Sequence, residues 1–145
     1  MKKYFLLLLT LFIVLSCDSD DNSNNNRYLP NYNFSIDLNT DLPEFTDLRY
    51  TGSPVYVGIA GAGINGVIVM NSGSGYVAYE ASCPNQELSS CSLINTNDIN
   101  GINVICPCDD VEYNLFTGLA TTPVEYSLKP YRAQQIGSNI IRVYN

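Results

Sequence analysis

Hydrophobic residues in this chain form one long block followed by many short ones. Residues 4–15 are apolar apart from Thr10, and residues 18–26 contain no apolar side chain at all. From Tyr28 onward, short runs rich in Val, Ile and Tyr alternate with clusters of Gly, Asn, Ser and Pro. Runs of that length bounded by turn formers read as strands. The predicted strands cover 33–38, 55–60, 66–71, 76–80, 103–105, 112–116, 131–136 and 140–144. No window carries a 3.6-residue apolar period long enough to predict a helix. Asn65-Gly66, Ser72-Gly73-Ser74-Gly75 and Gly137-Ser138-Asn139 offer residues that tolerate positive φ, so they predict hairpin turns. The pattern therefore predicts an all-β domain over 31–145, built as a small antiparallel sandwich or barrel.

The long block has the features of a targeting segment rather than of the β domain. Lys2 and Lys3 precede the apolar run, and Ser16-Cys17 follows it, which is the layout of a secretory signal peptide. The run falls well short of the roughly 20 residues needed to span a bilayer. Val14-Leu15-Ser16-Cys17 resembles the lipobox of bacterial lipoproteins, which implies that residues 1–16 are removed and that Cys17 carries lipid. Residues 17–30 then read as a lipidated flexible tether, because a polar, acidic stretch cannot recover its ordering entropy by burial. The acidic cluster after Cys17 also resembles the surface-export tags of some lipoproteins. The alternative for that cluster is a spacer that only holds the domain off the membrane. The expected location is the cell envelope of a Gram-negative bacterium, anchored to the outer membrane through Cys17, with surface exposure if the cluster acts as an export tag.

Composition narrows the chemistry. The chain has 145 residues, 46% of them hydrophobic, which suits one small domain. It contains no His, so Ser-His-Asp or Cys-His nucleophile systems, His-ligated metals and imidazole proton shuttles are excluded. Seven basic residues against 14 acidic give a net charge of −7, and loss of Lys2 and Lys3 would make the balance more acidic still. Nucleic acid is not an expected partner, since phosphate binding depends on Lys and Arg.

Three further patterns have plain readings. Gly61-Ala62-Gly63-Ile64-Asn65-Gly66 matches the G-x-G-x-x-G string of dinucleotide sites, but the following Val67-Ile68-Val69-Met70 reads as a strand, whereas that chemistry needs a helix N-terminus. Asp109-Asp110-x-Glu112 lacks the spacing of a Ca²⁺ loop and reads as a solvated turn. Tyr76, Tyr79, Tyr113 and Tyr131 read as core and edge packing of the sheet rather than a binding face. No paired acid and nucleophile stand at a recognisable spacing, so an enzyme is not expected.

Four cysteines remain once Cys17 is set aside: Cys83, Cys91, Cys106 and Cys108. An even number in an exported small β domain reads as disulfides, with three pairings open. A Cys106–Cys108 pair is disfavoured, because residues two apart in extended chain have Cα atoms about 6.5 Å apart, near the upper limit for a bridge.

Cys83-Pro84-Asn85, Cys91, Cys106-Pro107-Cys108-Asp109, Tyr113 and Thr117-Gly118 together resemble a Rieske iron-sulfur domain. Proteins of that family carry a Cys-x-His loop with a further downstream Cys, a Cys-Pro-Cys-His loop, an aromatic strand residue and a Thr-Gly turn. Pro123, the segment Leu128-Lys129-Pro130-Tyr131-Arg132 and the closing strand extend the likeness, which covers about 55–144. In that family two Cys and two His hold a 2Fe-2S cluster. The resemblance puts the ligand positions at Cys83, Asn85, Cys106 and Asp109, so both histidines are replaced, and Cys83 and Cys91 stand further apart than in the family. A neutral amide oxygen is a poor substitute for imidazole. The resemblance also implies a disulfide between Cys91 and Cys108, which leaves Cys83 and Cys106, whose counterparts share one iron, to form a second bridge. The expectation is a non-enzymatic, disulfide-stabilised binding or structural module with no cofactor or metal, partnered by the membrane and an envelope protein. The alternative is an electron carrier with an atypically ligated 2Fe-2S cluster and an oxidoreductase as redox partner.

Overall fold

The computed structural model describes residues 25–145. Cys17 and the predicted signal peptide therefore lie outside the described residues. Nine strands follow one another: β1 (Ser35–Asn39), β2 (Pro54–Val57), β3 (Val67–Asn71), β4 (Tyr76–Glu80), β5 (Ile99–Asn100), β6 (Asn103–Ile105), β7 (Glu112–Asn114), β8 (Pro130–Gln135) and β9 (Ile140–Tyr144). Two 3₁₀ turns, Pro43–Arg49 and Thr96–Asp98, are the helical elements among the described residues, and no helix there is long and apolar enough to cross a membrane.

Six strands form a curled antiparallel sheet in the order β1-β9-β8-β4-β3-β2, and β5-β6-β7 form a small second sheet. The all-β antiparallel architecture read from the sequence is thus the one the chain adopts. The second sheet lies within an excursion between two neighbouring strands: β4 pairs directly with β8, Ala78 opposite Tyr131 and Tyr79 opposite Pro130. Both cysteine loops lie within this excursion.

The sequence of β3 explains why the two sheets pack together. Val67, Ile68, Val69 and Met70 are all fully buried, so this strand has no solvent face. Its side chains alternate between two cores. Val67 and Val69 join Leu38, Leu48, Val57, Ile141 and Val143 on one side. Ile68 and Met70 join Ile94, Val104, Tyr113, Leu115 and both buried cysteines on the other. Each such side chain contributes about 1.5–3 kcal/mol by leaving water, so apolar burial fastens the excursion to the large sheet.

Several local expectations are corrected. The strand predicted at 55–60 ends at Val57, and residues 58–66 form a long connection rather than a hairpin turn at Asn65-Gly66. The cause is Glu80, which is fully buried at the end of β4. Its carboxylate accepts the backbone N–H groups of Ile64 (2.7 Å) and Asn65 (3.0 Å). The Ser82 hydroxyl and the Tyr131 phenol donate to the same carboxylate, each at 2.7 Å. The glycine-rich loop does cradle an anion, and that anion is the chain's own side chain. Gly63 is required there, with φ at +63° and no room for a Cβ, which would stand 2.5 Å from Glu80 Oε2. The strand predicted at 112–116 ends at Asn114. Pro43–Arg49 and β5 went unread, being too short to carry a period.

The packed structure also begins before residue 31, inside the segment read as tether. Leu29 is buried, and Asn26 is buried with Nδ2 donating to the Pro84 carbonyl at 2.7 Å. Lys129 Nζ donates to the carbonyls of Leu29 (2.8 Å) and Pro30 (2.9 Å) and to Asn31 Oδ1 (2.6 Å).

Candidate functional site

The first cysteine loop runs from the end of β4. Ser82 and Leu93 pair as an isolated antiparallel bridge. Cys83 N–H donates to the Ser92 carbonyl and Ile94 N–H to the Ala81 carbonyl, both at 2.9 Å, so the loop has a fixed base. The second loop joins β6 to β7. Cys106 N–H donates to the Val111 carbonyl and Asp110 N–H to the Cys106 carbonyl, again at 2.9 Å. Asp110 takes φ of +57°, a conformation Asp tolerates better than most residues. Asp109 Oδ1 accepts the Val111 N–H at 3.1 Å, closing the turn locally.

These bases bring the four cysteines together in two bridges. Cys83 is bonded to Cys106 with Cα atoms 5.5 Å apart, and Cys91 to Cys108 with Cα atoms 5.1 Å apart. The first bridge is fully buried. The second is at the surface, with Cys91 exposed and Cys108 half-buried. The sulfurs of Cys83, Cys106 and Cys108 lie within 4.8 Å of one another, and among the described residues no other group of three potential metal donors is so close. Asp109 is not part of that group, and its side chain is exposed. Gln86 Nε2 donates to Cys106 Sγ at 3.1 Å. The Ser89 hydroxyl lies 3.2 Å from Cys91 Sγ and 3.8 Å from Cys108 Sγ.

Asn85 has a different task from a ligand. Its Nδ2 donates to Tyr113 Oη and to the Tyr126 carbonyl, and its Oδ1 accepts the Tyr126 N–H, each at 2.8 Å. Both ends of the amide are thereby committed. They join the first loop to β7 and to the segment leading into β8. Burial pushes the Tyr113 phenol above its ordinary pKa, with the Asn85 hydrogen bond acting against that shift and the charge of Asp109 adding to it.

The donor set does not fit a 2Fe-2S cluster of Rieske type. Such a cluster needs two thiolates and two imidazoles. Here Cys83 and Cys106 are bonded to each other, the Asn85 oxygen is already occupied by a backbone N–H, and Asp109 is exposed with one carboxylate oxygen accepting the Val111 N–H. A bridged sulfur cannot serve as a thiolate ligand.

Other residues singled out in the sequence resolve simply. Glu112 Oε1 accepts Asn103 Nδ2 at 2.8 Å across β6 and β7, in keeping with a structural turn at 109–112. Tyr79, Tyr113 and Tyr131 are buried and Tyr76 is half-buried, so they pack the cores. Gln86 and Ser89 were not anticipated. An isolated Gln or Ser in a loop carries no pattern, and only the folded loop places them against sulfur.

No protein-family model matches the chain, and no curated protein matches it in sequence. Among solved structures, it is similar to the ferredoxin of carbazole 1,9a-dioxygenase from Nocardioides aromaticivorans IC177. The identity is 17%, the match covers 78% of this chain and 97% of that one, and the TM-score is 0.45. It is similar to a nitrite reductase small subunit, described as NADH-dependent, from Mycobacterium tuberculosis at 17% identity, covering 79% and 97% of the two chains with a TM-score of 0.45. A chain from a complex of reduced oxygenase and oxidized ferredoxin in carbazole 1,9a-dioxygenase matches at 20% identity, covering 75% and 93%, with a TM-score of 0.45.

Proposed function

We propose that this is a lipid-anchored, cluster-free relative of the Rieske domain that serves as a disulfide-stabilised binding or structural module at the cell envelope. The observation that carries the reading is the Cys83–Cys106 bridge in a loop pair whose third ligand position, Asn85, is spent on three hydrogen bonds. The two thiols that a cluster would need are instead the chain's own cross-link. The anchor rests on Val14-Leu15-Ser16-Cys17 and the short apolar run before it. Attachment would be to the outer membrane of a Gram-negative cell, with the domain exposed and an envelope protein as its partner.

Iron and acid-labile sulfide analysis, with a visible spectrum, tests this on the full chain purified from membranes without air. The reading expects a colourless protein with no stoichiometric iron. Visible absorption with iron and sulfide in equal amounts would favour the electron-carrier alternative. Replacing Cys17 by Ala tests the anchor: the protein should leave the membrane fraction, and full retention there would refute lipidation.

A further inference from the structure

Three sulfurs that belong to two different bridges stand together. Cys83, Cys106 and Cys108 have their Sγ atoms within 4.8 Å of one another, although Cys108 is bonded to Cys91 and not to either of them. One bridge is sealed, with Cys83 and Cys106 both fully buried. The other is open to solvent at Cys91. A reductant that cannot reach the first can reach the second, and Cys108 belongs to the second while its sulfur lies within 4.8 Å of both sulfurs of the first.

We propose that the two bridges form a thiol–disulfide relay, in which a dithiol partner opens Cys91–Cys108 and Cys108 passes the electrons inward to Cys83–Cys106. Exchange proceeds by attack of a thiolate on a disulfide sulfur. Exposure selects Cys91 as the sulfur attacked. A bond forms between the partner's sulfur and Cys91, the Cys91–Cys108 bond breaks, and its electron pair leaves on Cys108. The Cys108 thiolate then attacks Cys83. The Cys83–Cys108 bond forms, the Cys83–Cys106 bond breaks, and the pair leaves on Cys106, where Gln86 Nε2 already donates a hydrogen bond at 3.1 Å. Attack on Cys106 would leave the pair on Cys83 instead, and the Gln86 donor on Cys106 is what selects Cys83 as the sulfur attacked. The partner's second thiolate resolves the mixed disulfide by attacking its own first sulfur, releasing Cys91 as a thiolate that the Ser89 hydroxyl faces at 3.2 Å. The balance closes. One dithiol loses two electrons and two protons and becomes a disulfide, while the chain ends with thiols at Cys91 and Cys106 and one bridge, Cys83–Cys108. The half-buried donor from Gln86 has a role in this scheme that a purely structural bridge does not need.

The relay rests on the cluster-free reading, so iron is measured on the same sample before any reductant is added. Full-length protein in detergent is treated with one equivalent of dithiothreitol at neutral pH, quenched in acid and alkylated. Tandem mass spectrometry then assigns each label between Cys106 and Cys108. Labels on Cys91 and Cys106, with Cys83 linked to Cys108, are expected. Labels on Cys91 and Cys108 with Cys83–Cys106 intact would overturn the relay. Cys91→Ser frees Cys108 without any reductant. In that variant, label should divide between Cys106 and Cys108, and adding Gln86→Leu should cut the Cys106 share several-fold. Label confined to Cys108 would overturn the proposal, and a coloured, iron-containing sample would overturn the reading beneath it.

Discussion

Asn85 Nδ2 stands 2.8 Å from Tyr113 Oη and donates to it, joining the first cysteine loop to strand β7 across the floor of the site. Tyr113 is fully buried, so this phenol oxygen has no water to turn to. Removing the amide leaves a buried oxygen without its donor, and also frees the Tyr126 backbone. Asn85→Ala should cost about 2 kcal/mol, in the range for a buried polar group left unsatisfied. Urea unfolding of Asn85→Ala, Tyr113→Phe and the double variant should give a coupling energy of about 1 kcal/mol. Strictly additive effects would show that the pair contributes nothing beyond its separate packing.

Tyr131 gives the fold a pH limit. Burial, the neighbouring Glu80 charge and the hydrogen bond to that carboxylate all hold its phenol far above the ordinary tyrosine value. Burial also raises Tyr79 and Tyr113. A group whose folded pKa exceeds its unfolded one supports the fold fully below the unfolded value and loses that contribution as pH rises beyond it. Stability should therefore be level through neutral pH and fall above about pH 10, where an unfolded tyrosine ionises. Tyr131→Phe should start lower, having lost a hydrogen bond to a buried carboxylate, and then decline less steeply with pH. An equal alkaline slope in the two proteins would remove Tyr131 from this account.

Lys129 fastens the chain's entry to the domain. Its ammonium is buried, and burial lowers its pKa, while three oxygens from residues 29–31 accept its hydrogen bonds. Lys129→Met keeps most of the stem but removes all three donors. The net loss should be about 2 kcal/mol, since the desolvation cost of the charge disappears with its hydrogen bonds. Arg27 is then the sensitive reporter. Trypsin should cut there much faster in the variant than in the wild type, and an unchanged cleavage rate would mean that Asn26 and Leu29 hold the segment without Lys129.

The bridges should also be separable by their effect on stability. They close loops with sequence separations of 23 (Cys83–Cys106) and 17 (Cys91–Cys108). Loop entropy alone assigns each about 3 kcal/mol. Cys91→Ala with Cys108→Ala should lose about that much, because the exposed bridge buries little. Cys83→Ala with Cys106→Ala should lose more, since two fully buried sulfurs also leave the second core and a cavity remains. Equal losses, measured by thermal or urea unfolding, would show that the buried sulfurs pack no better than the exposed ones.

The strands were legible because short runs rich in Val, Ile and Tyr, bounded by Gly, Asn, Ser and Pro, carry their own signal, and six of them form one sheet. Spacing alone disfavoured only a Cys106–Cys108 bridge, and the pairing of Cys91 with Cys108 and Cys83 with Cys106 was implied by the Rieske resemblance. Glu80 was not legible. An acidic residue at a strand end reads as exposed, and only the return of residues 63–65 over it gives the carboxylate its partners. The resemblance marks Asn85 as a ligand position, whereas its hydrogen bonds run to Tyr113 and Tyr126, 28 and 41 residues further along. Non-local hydrogen bonds of that kind leave no mark in a local window. The docking of Asn26 and Leu29 is hidden for the same reason, since Lys129 lies about 100 residues away from the carbonyls it holds.

Cys83 and Cys106 are bonded to each other, which leaves neither as a thiolate for metal. The most direct measurement is alkylation of cells at the moment of lysis, without reductant and without air, followed by peptide mapping of the purified full chain. The account expects no label on Cys83, Cys91, Cys106 or Cys108, and recovery of the Cys83–Cys106 and Cys91–Cys108 linked peptides. Label on Cys83 and Cys106 together, with Cys91 and Cys108 protected, would contradict it, because two free thiols at those positions are what a metal-binding pair requires.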